Sequence, residues 1–278
     1  MSISIMTNTS SIQAQRHFAK SQGALASTME RLSSGLRINR AGDDAAGLAV
    51  ASRLSAQKRG LTQAQRNAND AVSMIQTAEG GLNEMNNMLA RMRELAVEAS
   101  NGGTMTAADR QSLDDEYQAL SSEIDRISDS TDYNGSKLLD GSLAAGVDFQ
   151  VGVFNSATDR ITVTAFSDAD ASALGLGGTS LTSQTNAQSA IDALDNALNN
   201  VSNQRGDLGA VQNRLATTMS NLGSMYENLS AALSRIMDAD VAEETAAMTK
   251  SQILVQAGVS VLSQANQGPQ VALSLLGR

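Results

Sequence analysis

From Ile191 onward the sequence sets Leu194, Leu198, Val201, Leu208, Leu215, Met219, Leu222, Tyr226, Leu229, Leu233 and Ile236 on one ladder of three- and four-residue steps. Only Arg205 and Gln212 interrupt it. A matching ladder precedes the middle of the chain: Ile75, Ala78, Leu82, Met85, Leu89, Met92 and Ala96. Such spacing puts the apolar side chains on one narrow stripe of a helix, which the helix cannot hide by itself. Two such helices need each other or further helices. The expected fold is mainly α: a long antiparallel helical coiled-coil bundle, a rod built from the two ends of one chain, with a small β-hairpin region between them.

The composition agrees with a bundle. Aromatic residues make up 3% of the 278 residues, with no Trp and 12 Met, so the core must be aliphatic and Met-rich. Pro269 is the single proline, which leaves long helices almost uninterrupted. The net charge of −9 argues against nucleic-acid binding through the whole surface. The charge is unevenly divided, however. Residues 16–66 hold nine Lys/Arg against Glu30, Asp43 and Asp44, and residues 109–140 hold nine acids against Arg110, Arg126 and Lys137. Two solvated helix faces would account for this; so would a basic patch on one subunit meeting an acidic patch on the next. The absence of Cys excludes disulfides and thiolate metal sites. The uncharged first fifteen residues lack the basic region of a cleaved secretory signal, and no apolar run is long enough to insert in a membrane. On these facts the chain is expected in the cytosol, or exported by a route that keeps its N-terminus.

Along the chain, residues 1–10 read as disordered in isolation. A helix is expected over about 11–35, then a break at Gly35–Gly42, with Asp43-Asp44 capping the next helix. That second helix runs over about 45–100, with Gly60 and Gly80-Gly81 as candidate breaks, and Asn101-Gly-Gly103 ends it. A third covers about 107–129, and Tyr133-Asn-Gly135 is a turn signal. Val147, Phe149, Val151 and Val153 alternate, as do Ile161, Val163 and Ala165, around a turn at Asn155–Asp159, which predicts a β-hairpin. Residues 167–186 read as a Ser/Thr/Gly/Ala-rich loop, followed by helices over about 186–236 and 240–265.

Catalytic and metal chemistry find little footing. His17 has no second His and no Cys near it. The pairs Asp168/Asp170 and Asp238/Asp240 fail as calcium loops: the sixth position is Ala173 or Glu243, and the twelfth is Thr179 or Thr249. The run Gly175–Ser180 ends in Ser where a dinucleotide fingerprint needs Gly or Ala, and no P-loop is present. Serines are plentiful, but His17 has nothing to orient it as their base. The chain reads as a non-enzyme without cofactor.

The run Glu30-Arg-Leu-Ser-Ser-Gly-Leu-Arg-Ile-Asn-Arg-Ala-Gly-Asp-Asp-Ala-Ala-Gly-Leu-Ala-Val-Ala-Ser-Arg53 resembles the N-terminal signature of bacterial flagellins. Arg66–Asp70, Leu82–Asn87, Arg91–Val97 and Tyr133–Gly135 are similar to the same family. So are Leu208–Arg214, Ser251–Gly258, Ser260–Gln267 and Leu273–Leu276 in the C-terminal half. The resemblance implies a self-polymerising subunit of the extracellular flagellar filament, a minimal form whose variable outer domains are replaced by about residues 141–185. It implies that residues 1–44 with 237–278 form a terminal helical domain lining the filament channel and folding on assembly, and that 45–236 form a surrounding rod domain. It further implies secretion through a type III apparatus, an export chaperone, and filament cap and hook-junction proteins as partners.

Members of that family also activate Toll-like receptor 5, and the matching positions here are Arg91, Leu95 and Glu116, with Ala90 where agonists commonly carry Gln. Arg31, Arg37 and Arg40 are the candidate assembly charges. Two rivals differ in kind: a hook–filament junction relative with similar ends, and a surface adhesin built on the same framework. The loop 167–186 would be the adhesin's candidate site.

Overall fold

The computed structural model describes residues 7–276 and contains five long helices and two short strand pairs. The helices are α1 (Thr9–Ser34), α2 (Ala45–Ala99), α3 (Ala107–Ser130), α4 (Gln184–Met237) and α5 (Val241–Leu276). Strands β1 (Asp132–Tyr133) and β2 (Ser136–Lys137) pair antiparallel, as do β3 (Val147–Gln150) and β4 (Arg160–Val163). The chain divides into two compact units. One comprises the two chain ends, up to Ala56 and from Asn228; the other is Gln57–Glu227. Both α2 and α4 contribute residues to each unit.

In the unit 57–227 both ladders are core. Ile75, Ala78, Leu82, Met85, Leu89, Met92 and Ala96 of α2 are buried, and so are Leu194, Val201, Leu208, Leu215 and Leu222 of α4. Tyr117 and Ile124 of α3 join the same cluster. Arg93 meets Asp195, and Lys58 lies over the Tyr226 ring, so α2 and α4 run antiparallel. Each buried Leu, Ile or Met contributes roughly 1.5–3 kcal/mol, whereas the Arg93–Asp195 pair is exposed and screened by solvent. Burial therefore holds this unit, and the ion pair only sets register.

The helix α2 is unbroken through Gly60 and Gly80-Gly81, where the sequence offered breaks. Two of these glycines serve close approach. A Cβ on Gly60 would lie 2.7 Å from Val153 Cγ1. One on Gly81 would lie 2.8 Å from Thr131 Oγ1 and 2.9 Å from Leu139 Cδ1. Tyr133-Asn-Gly-Ser136 is a two-residue hairpin, with Asn134 and Gly135 at φ 52° and 82°, as such turns require. The predicted larger hairpin is present but shorter. Val151 and Val153 leave the strand because Asp159 folds back over Gly152, its carboxylate accepting the Phe154 N–H at 2.7 Å. Residues 9–10 are already helical, with Asn8 as cap accepting from Ser11 N at 3.0 Å. Residues 1–6, also read as disordered, lie outside the described residues. Helix α5 extends beyond the expected end at 265, to Leu276.

The segment 167–183 lacks regular structure yet is packed. Ala169, Leu174, Leu176 and Leu181 are buried, as is Phe166 just before the segment. Its backbone is held by the acids of α3: Asp114 accepts from Leu181 N at 2.6 Å and Asp125 from Ala171 N at 2.8 Å. Tyr117 adds a hydroxyl contact with Thr179 at 2.7 Å, and burial pushes its phenol pKa up. Asp114 and Asp125, two of the nine acids over 109–140, thus have an internal use, and the loop packs against the bundle.

The adjacent glycines give a prediction of opposite sign. Gly81→Ala is expected to destabilise by about 1–3 kcal/mol, because the buried Leu139 cannot yield. Gly80 has open space around it, so Gly80→Ala should be neutral or stabilise by up to about 1 kcal/mol. Denaturant unfolding of the two variants checks both.

Candidate functional site

Three regions hold the residues singled out from sequence: the α1–α5 pair, the linker 35–44, and the α2–α3 face around Arg91. In the terminal unit, α1 and α5 run antiparallel, since Asn8 Nδ2 donates to Ala265 O at 2.8 Å while Arg31 meets Glu244 at 3.1 Å. Small residues on the facing sides, including Ala14, Thr28, Ser251 and Gly258, permit close approach; a Cβ on Gly258 would stand 3.1 Å from the Phe18 ring. The pair leaves much apolar surface in water. Val241, Ile253, Leu254, Val259 and Val261 of α5 are exposed, Ile253 to 60%, as are Ile12 and Met29 of α1. At 100° per residue the exposed α5 positions lie in several directions around its axis, and a helix apolar all round is normally a buried one. A recess of about 480 Å³ between the helices is lined largely by Phe18, Leu254, Ala257 and Val261.

The three candidate assembly arginines all make contacts within the subunit. Arg31 Nη1 donates to the nearly buried Glu244, while its own Nε is buried without a partner. Arg37 Nη2 donates to Ile236 O at 2.8 Å, and Arg37 N to Met237 O at 2.6 Å. Arg40 binds Glu30 at 2.8 Å. Leu36 and Asp238 form an isolated antiparallel bridge, closed by Ala239 N to Gly35 O at 3.0 Å. The linkers after α1 and after α4 thus hold one another, with Gly35 at φ 71° ending α1. Within the first linker, Asp43 Oδ2 accepts from Arg40 N at 2.9 Å and Asn39 N at 3.1 Å. Asp44 caps α2 through Gly47 N at 2.8 Å.

Arg91 and Glu116 meet across α2 and α3, Nε to Oε1 at 3.0 Å, and Arg91 also binds Glu94. Both acids raise the pKa of Arg91, Glu116 foremost. Leu95 is 1% exposed and belongs to the core. The Arg91–Glu116 pair is not legible in sequence, because it joins residues on two different helices.

Among the described residues no group of three or more His, Asp or Glu could hold a metal ion, and no helix is long and apolar enough to cross a membrane. His17 is exposed on α1.

The profile of the bacterial flagellin N-terminal helical region matches residues 5–144, and that of the C-terminal helical region matches residues 191–276. The chain belongs to the bacterial flagellin family. The flagellin of Halalkalibacterium halodurans is 51% identical over 248 residues, 89% of this chain and 90% of that protein. The Bacillus subtilis flagellin is 44% identical over 301 residues, 97% of this chain and 98% of that protein. The crystal structure of Bacillus cereus flagellin superposes with a TM-score of 0.50 at 34% identity, covering 60% of this chain and 94% of that one. A flagellar hook-associated protein from Vibrio parahaemolyticus shares the fold alone, with a TM-score of 0.56 at 15% identity over 70% of this chain and 100% of that one. The chain is therefore a structural subunit that polymerises into the flagellar filament, and it is not an enzyme. It is a minimal form: only residues 145–190 separate the two matched regions.

The linker makes a pH prediction. The backbone bonds from Arg40, then Asn39, hold the Asp43 carboxyl below its ordinary 3.8. A depressed folded-state pKa stabilises fully above the ordinary value and is lost as pH falls through the folded one. Protection of the Arg40 and Asn39 amides should therefore persist at pH 5 and fade only on acidification below about 3.8; Asp43→Asn should weaken it at every pH. Amide exchange read by NMR checks this.

Proposed function

We propose that the α1–α5 pair is a surface completed by other copies of this chain in the filament, and that the terminal segments reach full order only on assembly. The observation that carries this reading is the exposed apolar surface on several sides of α5. A lone subunit gains little from those residues, whereas packed copies would remove them from water at roughly 1.5–3 kcal/mol each. Association then supplies burial that folding alone leaves missing. In this reading, residues 1–44 and 237–278 line the channel and 45–236 surround them. The filament is extracellular, its subunits leave through a type III apparatus with an export chaperone, and cap and hook-junction proteins bracket the assembly. What supports these partners is family membership.

Replacing Ile253 and Val261 by Asp tests the core of it. Filament yield in a pelleting and electron-microscopy assay is expected to fall to background, while the unit 57–227 melts as in the parent chain. Parent-like filaments from this variant would sink the reading. Charge reversal of Arg31, Arg37 and Arg40 together is expected to slow polymerisation by loosening the linker. Reversing Arg31 and Glu244 as a swapped pair should restore part of that loss if the effect is internal to the subunit.

Recognition by Toll-like receptor 5 is proposed at Arg91 of α2 and Glu116 of α3, with Leu95 anchoring α2 in the core. Their exposed, mutually oriented charges support it. Purified monomer should activate a receptor reporter, with Arg91→Ala weakening the response; silence at saturating dose counts against it.

A further inference from the structure

The exposed large hydrophobic side chains described within the unit 57–227 are Val97, Phe154 and Met225. Phe154, at 60% exposure, stands at the tip of the segment between β3 and β4. That segment is not a slack loop. Phe154 N donates to Asp159 at 2.7 Å, and Gln150 Nε2 donates to Phe154 O at 2.9 Å and Gly152 O at 3.0 Å. Arg160 reaches Asn155, and Ser156 caps the turn Ala157–Asp159. Next to it, Val153 sits against Gly60 of α2. The backbone is thus fixed so that one large apolar ring points into solvent, and the entropy of ordering it has already been met by the fold.

The same unit carries a matching recess. Ala90, Arg93, Glu94, Val97, Glu98 and Leu198 line an open hollow of about 660 Å³ between α2 and α4. Its apolar lining comes from Ala90, Val97 and Leu198, of which Ala90 and Val97 are exposed on the surface of α2. One wall is a guanidinium held in place by Asp195, with Arg93 Nε to Oδ1 at 2.6 Å, a plane suited to lie on an aromatic face. Glu98, beside a Glu94 already paired with Arg91, adds negative charge to the lining, opposite in sign to the exposed Arg160 near Phe154.

We infer that Phe154 of one subunit enters the Ala90–Val97–Leu198 recess of another copy of this chain. The contact cannot form within one molecule. Gly60, which abuts Val153, and the recess around Glu94 lie on one uninterrupted helix, separated by on the order of 50 Å at 1.5 Å per residue. A knob and a hole at different places on one subunit make a heterologous contact, which does not close by two-fold symmetry and propagates into an open helical assembly. A buried aromatic anchor in a pocket is also the kind of residue that dominates an interface. The inference rests on the filament function and adds to it a specific pair of contacting surfaces.

The chain has no cysteine, so introduced thiols report cleanly. Val97→Cys and Phe154→Cys subunits are prepared separately, mixed with excess parent chain, polymerised and mildly oxidised. A disulfide-linked dimer is expected only in filaments that contain both variants, and not in unpolymerised mixtures. Filaments containing both but showing no such dimer would overturn the contact. Phe154→Ala is expected to raise the critical concentration for polymerisation about tenfold or more, with Phe154→Leu intermediate and monomer melting unchanged. Polymerisation of Phe154→Ala at the parent's critical concentration would likewise overturn it. A parent chain that forms no filaments would count against the filament function itself, which separates the two failures.

Discussion

Along α2 and α4, Ile75, Leu82, Met85, Leu89 and Met92 face the same continuous cluster as Leu194, Val201, Leu208 and Leu215, all withdrawn from water. The rest of the unit 57–227 is positioned by that stripe. Helix α3 docks on it through Tyr117 and Ile124, and the segment 167–183 lies over it through Leu174, Leu176 and Leu181. The narrowness of the stripe explains the fold's preference for helices over a sheet. Aliphatic and Met side chains at three- and four-residue steps pack as a seam, whereas the chain carries too few aromatic residues for a wide globular core.

The terminal unit obeys a different constraint. Small residues let α1 and α5 approach closely, but close approach of small side chains buries little apolar area. The larger aliphatics of α5 consequently remain in water. For a solitary protein such a surface is a hazard; on the proposed reading it is the surface that neighbouring subunits cover. One chain thus combines a buried apolar seam with an exposed one, and the distinction follows from where its Leu, Ile and Met residues sit relative to its Ala, Ser and Gly residues.

Much of the fold was legible from periodicity. The bounds of α2, α3 and α4 fall within a few residues of those read from sequence, because caps such as Thr106–Asp109 and Asp44 are local in the chain. Glycine was the less readable signal. Gly60 and Gly81 look like helix breakers until Val153, Thr131 and Leu139 are seen against them. The larger hairpin was overextended for the same reason: alternation cannot reveal that Asp159 closes over Gly152. Asp114 and Asp125 read as surface charge, although their partners are backbone N–H groups about fifty to seventy residues away.

The sequence by itself determined the helical class, the placement of the seams, the family and hence the filament role, since all of these depend on spacing and on runs of adjacent residues. Tertiary structure alone decided which charges are already engaged and which apolar groups are left over. Arg31, Arg37 and Arg40 look free in a row of letters and are bound to Glu244, Ile236 and Glu30 in the fold. Leu95 and Phe154 are alike apolar in sequence, yet one is 1% and the other 60% exposed. Pairing and exposure are relations between distant parts of a chain, and only the packed structure brings those parts together.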